Sequence, residues 1–157
     1  MKRSRKGLLF GVAAVLAACL LCLVWFWYRG RARDIPVGKD SAILTVSCIR
    51  RENGVDTDWP LAQGDIPEAA ADALLDCLSG HTMTGRTVAA PGTMTMTDPY
   101  VYISIWVENK DQSKVRVNLS NQESYSVVEY GEKYYRIIDS ASMLEQVESV
   151  LADYLSE

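Results

Sequence analysis

The sequence predicts an α+β protein. An N-terminal transmembrane helix is followed by a two-layer domain, an antiparallel sheet of four to six strands with two helices on one face. Three observations predict this. An uncharged apolar run, Gly7–Tyr28 (GLLFGVAAVLAACLLCLVWFWY), is long enough to cross a bilayer. Between Tyr100 and Ile138, four stretches rich in β-formers follow one another through short polar turns. Two amphipathic helical stretches, from Asp65 and from Ser140, give the order strand, helix, several strands, helix. Helices gathered on one face of an antiparallel sheet make such a two-layer domain.

The run is flanked by Lys2, Arg3, Arg5 and Lys6 before it and by Arg29, Arg31 and Arg33 after it. A helix needs roughly 20 apolar residues to span the hydrocarbon core. Trp25, Phe26, Trp27 and Tyr28 fall where such a helix leaves the bilayer, the level that aromatic rings prefer. The run outlasts the apolar stretch of a cleaved signal peptide, so it reads as an uncleaved signal anchor. A second reading stays open. Leu16-Ala17-Ala18-Cys19 resembles the lipobox of bacterial lipoproteins, which implies cleavage before Cys19 and lipidation of that residue. Unlike mature lipoproteins, the chain stays apolar from Leu20 to Trp25. The basic start resembles an export signal, so the expected location is the cell membrane, single-pass, with the C-terminal domain extracytoplasmic. Gly7, Gly11, Ala14 and Ala18 share one helical face and include a GxxxG spacing, which permits close helix approach or serves as lipid-facing filler. The expected divisions are residues 1–28 (basic segment and anchor), 29–40 (linker) and 41–157 (domain).

Seven of the sixteen basic residues flank the run, which leaves the remainder of the chain acidic. That argues against a nucleic-acid surface, which requires a basic patch to displace counterions. Outside the membrane run, which holds Cys19 and Cys22, the sequence has no zinc-type Cys/His spacing, and it has no calcium loop, no phosphate cradle of the GxGxxG or GxxxxGK[ST] kind and no GxSxG nucleophile setting. No metal, cofactor or catalytic residue is therefore expected.

In the domain, Ser41–Arg50 reads as a strand with Leu44, Val46 and Cys48 on one face and Ile43, Thr45, Ser47 and Ile49 on the other. Asn53-Gly54 turns the chain, and the Trp59-Pro60 segment reads as loop. Asp65 and Glu68 fit a capping box opening a helix that runs to Ser79, with Gly80 as C-cap and Ala70, Leu74, Cys77 and Leu78 as its apolar stripe. Thr82–Ala89 reads as an edge strand, and Thr93–Thr97 as a further short strand. The meander is Tyr100–Glu108, Lys114–Ser120, Tyr125–Tyr130 and Lys133–Ile138. A closing helix, Ser140–Leu155, carries Leu144, Val147, Val150, Leu151, Tyr154 and Leu155 on one side.

Candidate functional residues follow from those faces. With Val101, Ile103, Ile105 and Val107 turned inward, Tyr100, Tyr102, Ser104 and Trp106 point the other way, beside Arg116 of the next strand. Aromatics exposed next to an Arg are the composition of interaction surfaces, which makes Tyr100, Tyr102, Trp106 and Arg116 the binding candidates. The competing readings cover these rings with the Thr-rich segment His81–Pro99 or an edge strand, or invert the two faces of the strand. Cys48 and Cys77 both face the core, an arrangement that suits either a disulfide in an oxidising compartment or two small buried thiols. His81, the one histidine, follows a helix C-terminus, where it can pair with cap carbonyls.

The strand-and-helix ending, with Tyr134-Tyr135-Arg136-Ile137-Ile138-Asp139 leading into the helix to Leu155, together with the N-terminal anchor, resembles small membrane-anchored extracytoplasmic proteins of unknown function from Gram-positive bacteria. That resemblance is one of layout and carries no catalytic residues. The expected function is a membrane-anchored module that binds a protein, a peptide or an envelope component. Two alternatives stand beside it: an envelope lipoprotein acting as an inhibitor or accessory subunit, and an enzyme of unrecognised carboxylate chemistry.

Overall fold

The computed structural model describes residues 3–62, 65–93 and 97–155, and the chain divides after Arg31 into two units. The first unit holds one helix, α1 (Arg3–Arg29). Its described side chains, residues 14–27, are exposed along the whole length with no polar face. The first part of the expected membrane run lies outside those described side chains. Among the described residues, no helix is long and apolar enough to cross a membrane.

The second unit is α+β. Its strands are β1 (Arg33–Asp34), β2 (Ala42–Glu52), β3 (Val55–Ala62), β4 (Thr82–Val88), β5 (Tyr100–Glu108), β6 (Lys114–Ser120), β7 (Val127–Tyr130) and β8 (Lys133–Ile137). The helices are α2 (Glu68–Ser79) and α3 (Ser140–Leu155). One antiparallel sheet runs β1-β4-β8-β7-β6-β5-β2-β3. Two of its hairpins turn on residue pairs held in the left-handed region, Asn53-Gly54 (φ 53 and 76) and Gly131-Glu132 (φ 56 and 60). Two such residues in succession give the turn whose twist matches the flanking strands. The Asp98 carboxylate accepts from the amides of Asn53 (3.1 Å) and Gly54 (2.6 Å), which fastens the first turn to the segment before β5.

Alternation along the central strands builds the core. Ile103, Ile105 and Val107 of β5 and Val115, Val117 and Leu119 of β6 are fully buried against Leu74 and Leu78 of α2 and Met143 and Val147 of α3. Each such side chain contributes about 1.5–3 kcal/mol of burial, so this layer dominates the stability of the unit. An ion pair between Arg50 of β2 and Glu148 of α3, 2.5 Å, joins the sheet to the helix layer at its edge.

Several expectations are corrected. Among the described residues the sheet has eight strands, not four to six. β1 lies inside the segment read as a linker, and Ile35 and Val37 just after it are buried. A two-residue strand leaves no periodicity to read. β3 contains the segment read as loop because of Pro60. Counting from the Glu52–Val55 pair that closes the turn, Pro60 falls where a backbone N–H would point away from β2, so its missing donor costs no ladder bond. β4 is not the outermost strand, since β1 pairs with its first residues.

The faces of β2 are also corrected. A register shift between Ile43 and Thr45 brings Ile43 into the core together with Val46 and Cys48, and leaves Leu44 half-buried. A bulge of this kind flips the alternation on one side of it. At α2, Asp65 makes no cap. The N-cap position is Pro67, with an extended ψ of 141 and no side-chain bond, since proline has no polar side chain to cap with. β7 starts at Val127, after a 3-10 turn at Glu123–Tyr125. Part of the expected strand at Thr93–Thr97 lies outside the described residues.

Candidate functional site

The face of the sheet opposite the helices is built by the residues that alternate with the core. Cross-strand pairing aligns them in rows. Thr45, Trp106, Arg116, Glu129 and Tyr134 form one row across β2, β5, β6, β7 and β8. Ser47, Ser104, Asn118, Val127 and Arg136 form the next, and Ile49, Tyr102 and Ser120 a third.

The second row anchors the first. Ser104 and Asn118 are buried, and the Ser104 hydroxyl donates to Asn118 Oδ1 at 2.9 Å while accepting from Arg116 Nε at 3.0 Å. The Arg116 guanidinium lies over the Trp106 indole, with its central carbon 4.9 Å from the ring centroid. A guanidinium on an indole face gains both electrostatic attraction and apolar contact. Glu129 Oε2 is 3.9 Å from Arg116 Nη1, an ion pair longer than a hydrogen bond. Burial pushes the Tyr102 hydroxyl above the usual tyrosine range, with the charge of Arg116 acting in the opposite direction. Trp106, Arg116 and Glu129 are each half-buried, so this row is held in place yet open to a ligand.

A cleft of about 470 Å³ opens beside it, lined by Trp106, Lys114, Arg116, Glu129, Tyr130 and Glu132 among others. Two cations and two carboxylates line it with no net charge. A second cleft of about 390 Å³ adjoins through Ser113 and Tyr130, and there Asn109 ties the chain before β2 to the β5–β6 turn. Asn109 Nδ2 donates to Pro36 O (2.9 Å) and Ser113 Oγ (3.0 Å), and its Oδ1 accepts from Ser41 Oγ (2.6 Å).

Of the four expected binding residues, three come together: Tyr102, Trp106 and Arg116. Tyr100 is corrected. It is fully buried and parallel to Tyr102, with centroids 6.5 Å apart. The end of the Thr-rich segment packs beside it: Asn121 Nδ2 donates to Pro99 O at 2.8 Å and Gln122 Nε2 to Thr97 Oγ1 at 2.7 Å. Burial raises the Tyr100 pKa to about 12. Sequence reasoning missed Glu129 and Tyr134, although the Gly131-Glu132 turn alone pairs them. It also missed the supporting role of Ser104 and Asn118, whose polarity on a buried row was the available signal.

The cysteines are free thiols. Cys48 is buried, and burial pushes its pKa to about 11. Cys77 is half-buried on α2, its thiol 3.7 Å from Gln146 Oε1 on α3. Cys19 is exposed on α1. His81 Nδ1 sits 2.8 Å from the Cys77 carbonyl, which can only accept, so that nitrogen carries the proton and closes the C-terminus of α2. Among the described residues, no group of three or more His, Cys, Asp or Glu is disposed to hold a metal ion. Comparison with protein families, with curated proteins and with solved structures finds no match for this chain.

Proposed function

We propose that this protein is a single-pass membrane-anchored module whose extracytoplasmic domain binds a protein, peptide or envelope component on the helix-free face of its sheet. The observation that carries the reading is the row Trp106–Arg116–Glu129, half-buried and fixed by the buried Ser104–Asn118 pair in the row beside it. An aromatic–arginine pair held in a single geometry loses little entropy when a partner docks, which is the property of interface anchors. The anchor is supported by the uncharged run Gly7–Tyr28 with basic residues on both sides. It is supported as well by the continuous exposure of Val15 to Trp27 in α1 and by Arg31 lying 4.1 Å over the Trp27 ring, an aromatic-plus-cation pairing suited to the headgroup level.

The test places a photoreactive side chain at Thr45, which is exposed directly across from Trp106, and at Glu145 on the outer side of α3. In intact cells, labelling from position 45 that disappears in Trp106→Ala supports the reading. Equal labelling from both positions, or labelling indifferent to Trp106, removes it. Protease shaving of cells carrying a C-terminal tag checks orientation: loss of the tag supports an extracytoplasmic domain, and protection until lysis excludes it.

A further inference from the structure

We propose that the cleft beside Trp106 recognises a carboxylate through Arg116. This rests on the reading of the helix-free face as a binding surface and names what that surface takes. A guanidinium carries five N–H donors. One goes to Ser104 Oγ at 3.0 Å, while Glu129 at 3.9 Å lies beyond hydrogen-bond length. Donors therefore remain, on a group whose plane is already set by Trp106 and by the buried Ser104. A preset guanidinium offers a planar pair of N–H groups that matches a carboxylate in shape as well as in charge.

The lining decides between anions. Lys114 adds a second cation, and Glu129 and Glu132 oppose it. A singly charged group held by directed hydrogen bonds suits this balance. A doubly charged phosphate would meet both carboxylates, so it is disfavoured. The volume, about 470 Å³, admits the end of a peptide or a short acidic segment, and Trp106 and Tyr130 supply apolar walls for the neighbouring residue.

The experiment is isothermal titration of the full-length chain in detergent micelles with four probes: N-acetyl-alanyl-alanine, its C-terminal amide, N-acetyl-aspartyl-alaninamide and inorganic phosphate. The acid is expected to bind at least about tenfold more tightly than the amide, the ratio that one charge-assisted hydrogen-bonded contact supplies. Phosphate should bind more weakly than the acid. A preference for the first probe over the aspartyl probe assigns the carboxylate to a chain end. Equal binding of the two assigns it to either source. Arg116→Lys should lose about tenfold, since a point charge does not reproduce the planar donor pair.

Glu129→Gln keeps the proposal open to refutation if the Arg116 variant unfolds. With the competing carboxylate gone, the acid should bind more tightly. Acid and amide binding alike, an unchanged Arg116→Lys, or weaker binding in Glu129→Gln would overturn the proposal. If no probe binds while photolabelling from Thr45 persists, the carboxylate assignment falls and the binding face stands. Absence of that labelling removes the face itself.

Discussion

At the scale of the residue, Ser104 and Trp106 sit one alternation apart on β5 and differ in what their loss would do. Ser104 is buried and serves two partners, Arg116 Nε and Asn118 Oδ1. Ser104→Ala leaves both without it and should cost about 1–3 kcal/mol, lowering the melting temperature by several degrees. Trp106 is half-buried, with the Arg116 guanidinium over its ring, so Trp106→Ala should move the melt by only a few degrees while abolishing labelling from position 45. A larger drop for Trp106 than for Ser104 would assign the indole a structural role. Tyr100 supplies a pH signature. Its pKa rises to about 12 because burial disfavours the phenolate. The neutral form is thus favoured in the folded chain, and the resulting stability is whole below the unfolded value of about 10 and is lost as pH climbs toward 12. Ultraviolet titration should show Tyr100 and Tyr102 ionising late in the native protein, Tyr100 toward pH 12, together with a falling melt above pH 10. In Tyr100→Phe the component nearest pH 12 should vanish while that of Tyr102 stays. The site was half legible in the sequence for one reason: alternation tells which side chains share a face, but only register tells which rows meet a covering segment. Hence Trp106 and Arg116 were found, while Tyr100 was placed on an open surface.

At the scale of the element, β3 shows how an edge is kept from pairing with another chain. Its outward backbone groups fall at Asp56, Asp58 and Pro60 in the register set by the Asn53-Gly54 turn. Pro60 removes a donor there, and Asp56 and Asp58 are exposed carboxylates. Asp56 is held by Arg51 through bonds of 2.6 and 2.7 Å, and that contact draws its carboxyl below the usual range. Charge and proline on an edge strand oppose edge-to-edge association. Pro60→Thr restores a donor and raises β-propensity, so light scattering should detect concentration-dependent association that the parent lacks. An unchanged monomer–oligomer balance would show that the edge is guarded by other means. Proline also explains why β3 was not legible. Its presence argues against a strand in general, and the exemption for an outward-facing position appears only once the register is known. The four strands of the meander and the helix from Ser140 carried long periodic patterns and were legible. β1, with two residues, carried none.

At the scale of the molecule, the helix layer is fastened to the sheet by one continuous core, and Cys48 reports on whether that core opens as a unit. Its thiol lies among Val46, Ile103 and the helices, while Cys77 stands at the half-buried edge of α2. Burial lifts the Cys48 pKa to about 11 and also raises that of Cys77, so both are weak nucleophiles in the folded chain. The thiol form of Cys48 is favoured by folding. Its contribution is complete below the unfolded value of about 8.5 and is lost as pH rises through that value toward 11. In a chain with Cys19 and Cys22 replaced by Ser, labelling at pH 8 should proceed in two phases. Cys77 should react first. Cys48 should wait for global unfolding, its rate rising in step with the urea transition, because a site sealed by the whole core is reached only when the core opens. Equal rates well below that transition would mean that α2 lifts from the sheet independently. An absence of labelling even in denaturant, reversed by a reductant, would mean instead that Cys48 and Cys77 pair in an oxidising compartment, with the fold adjusting to bring the two sulfurs together.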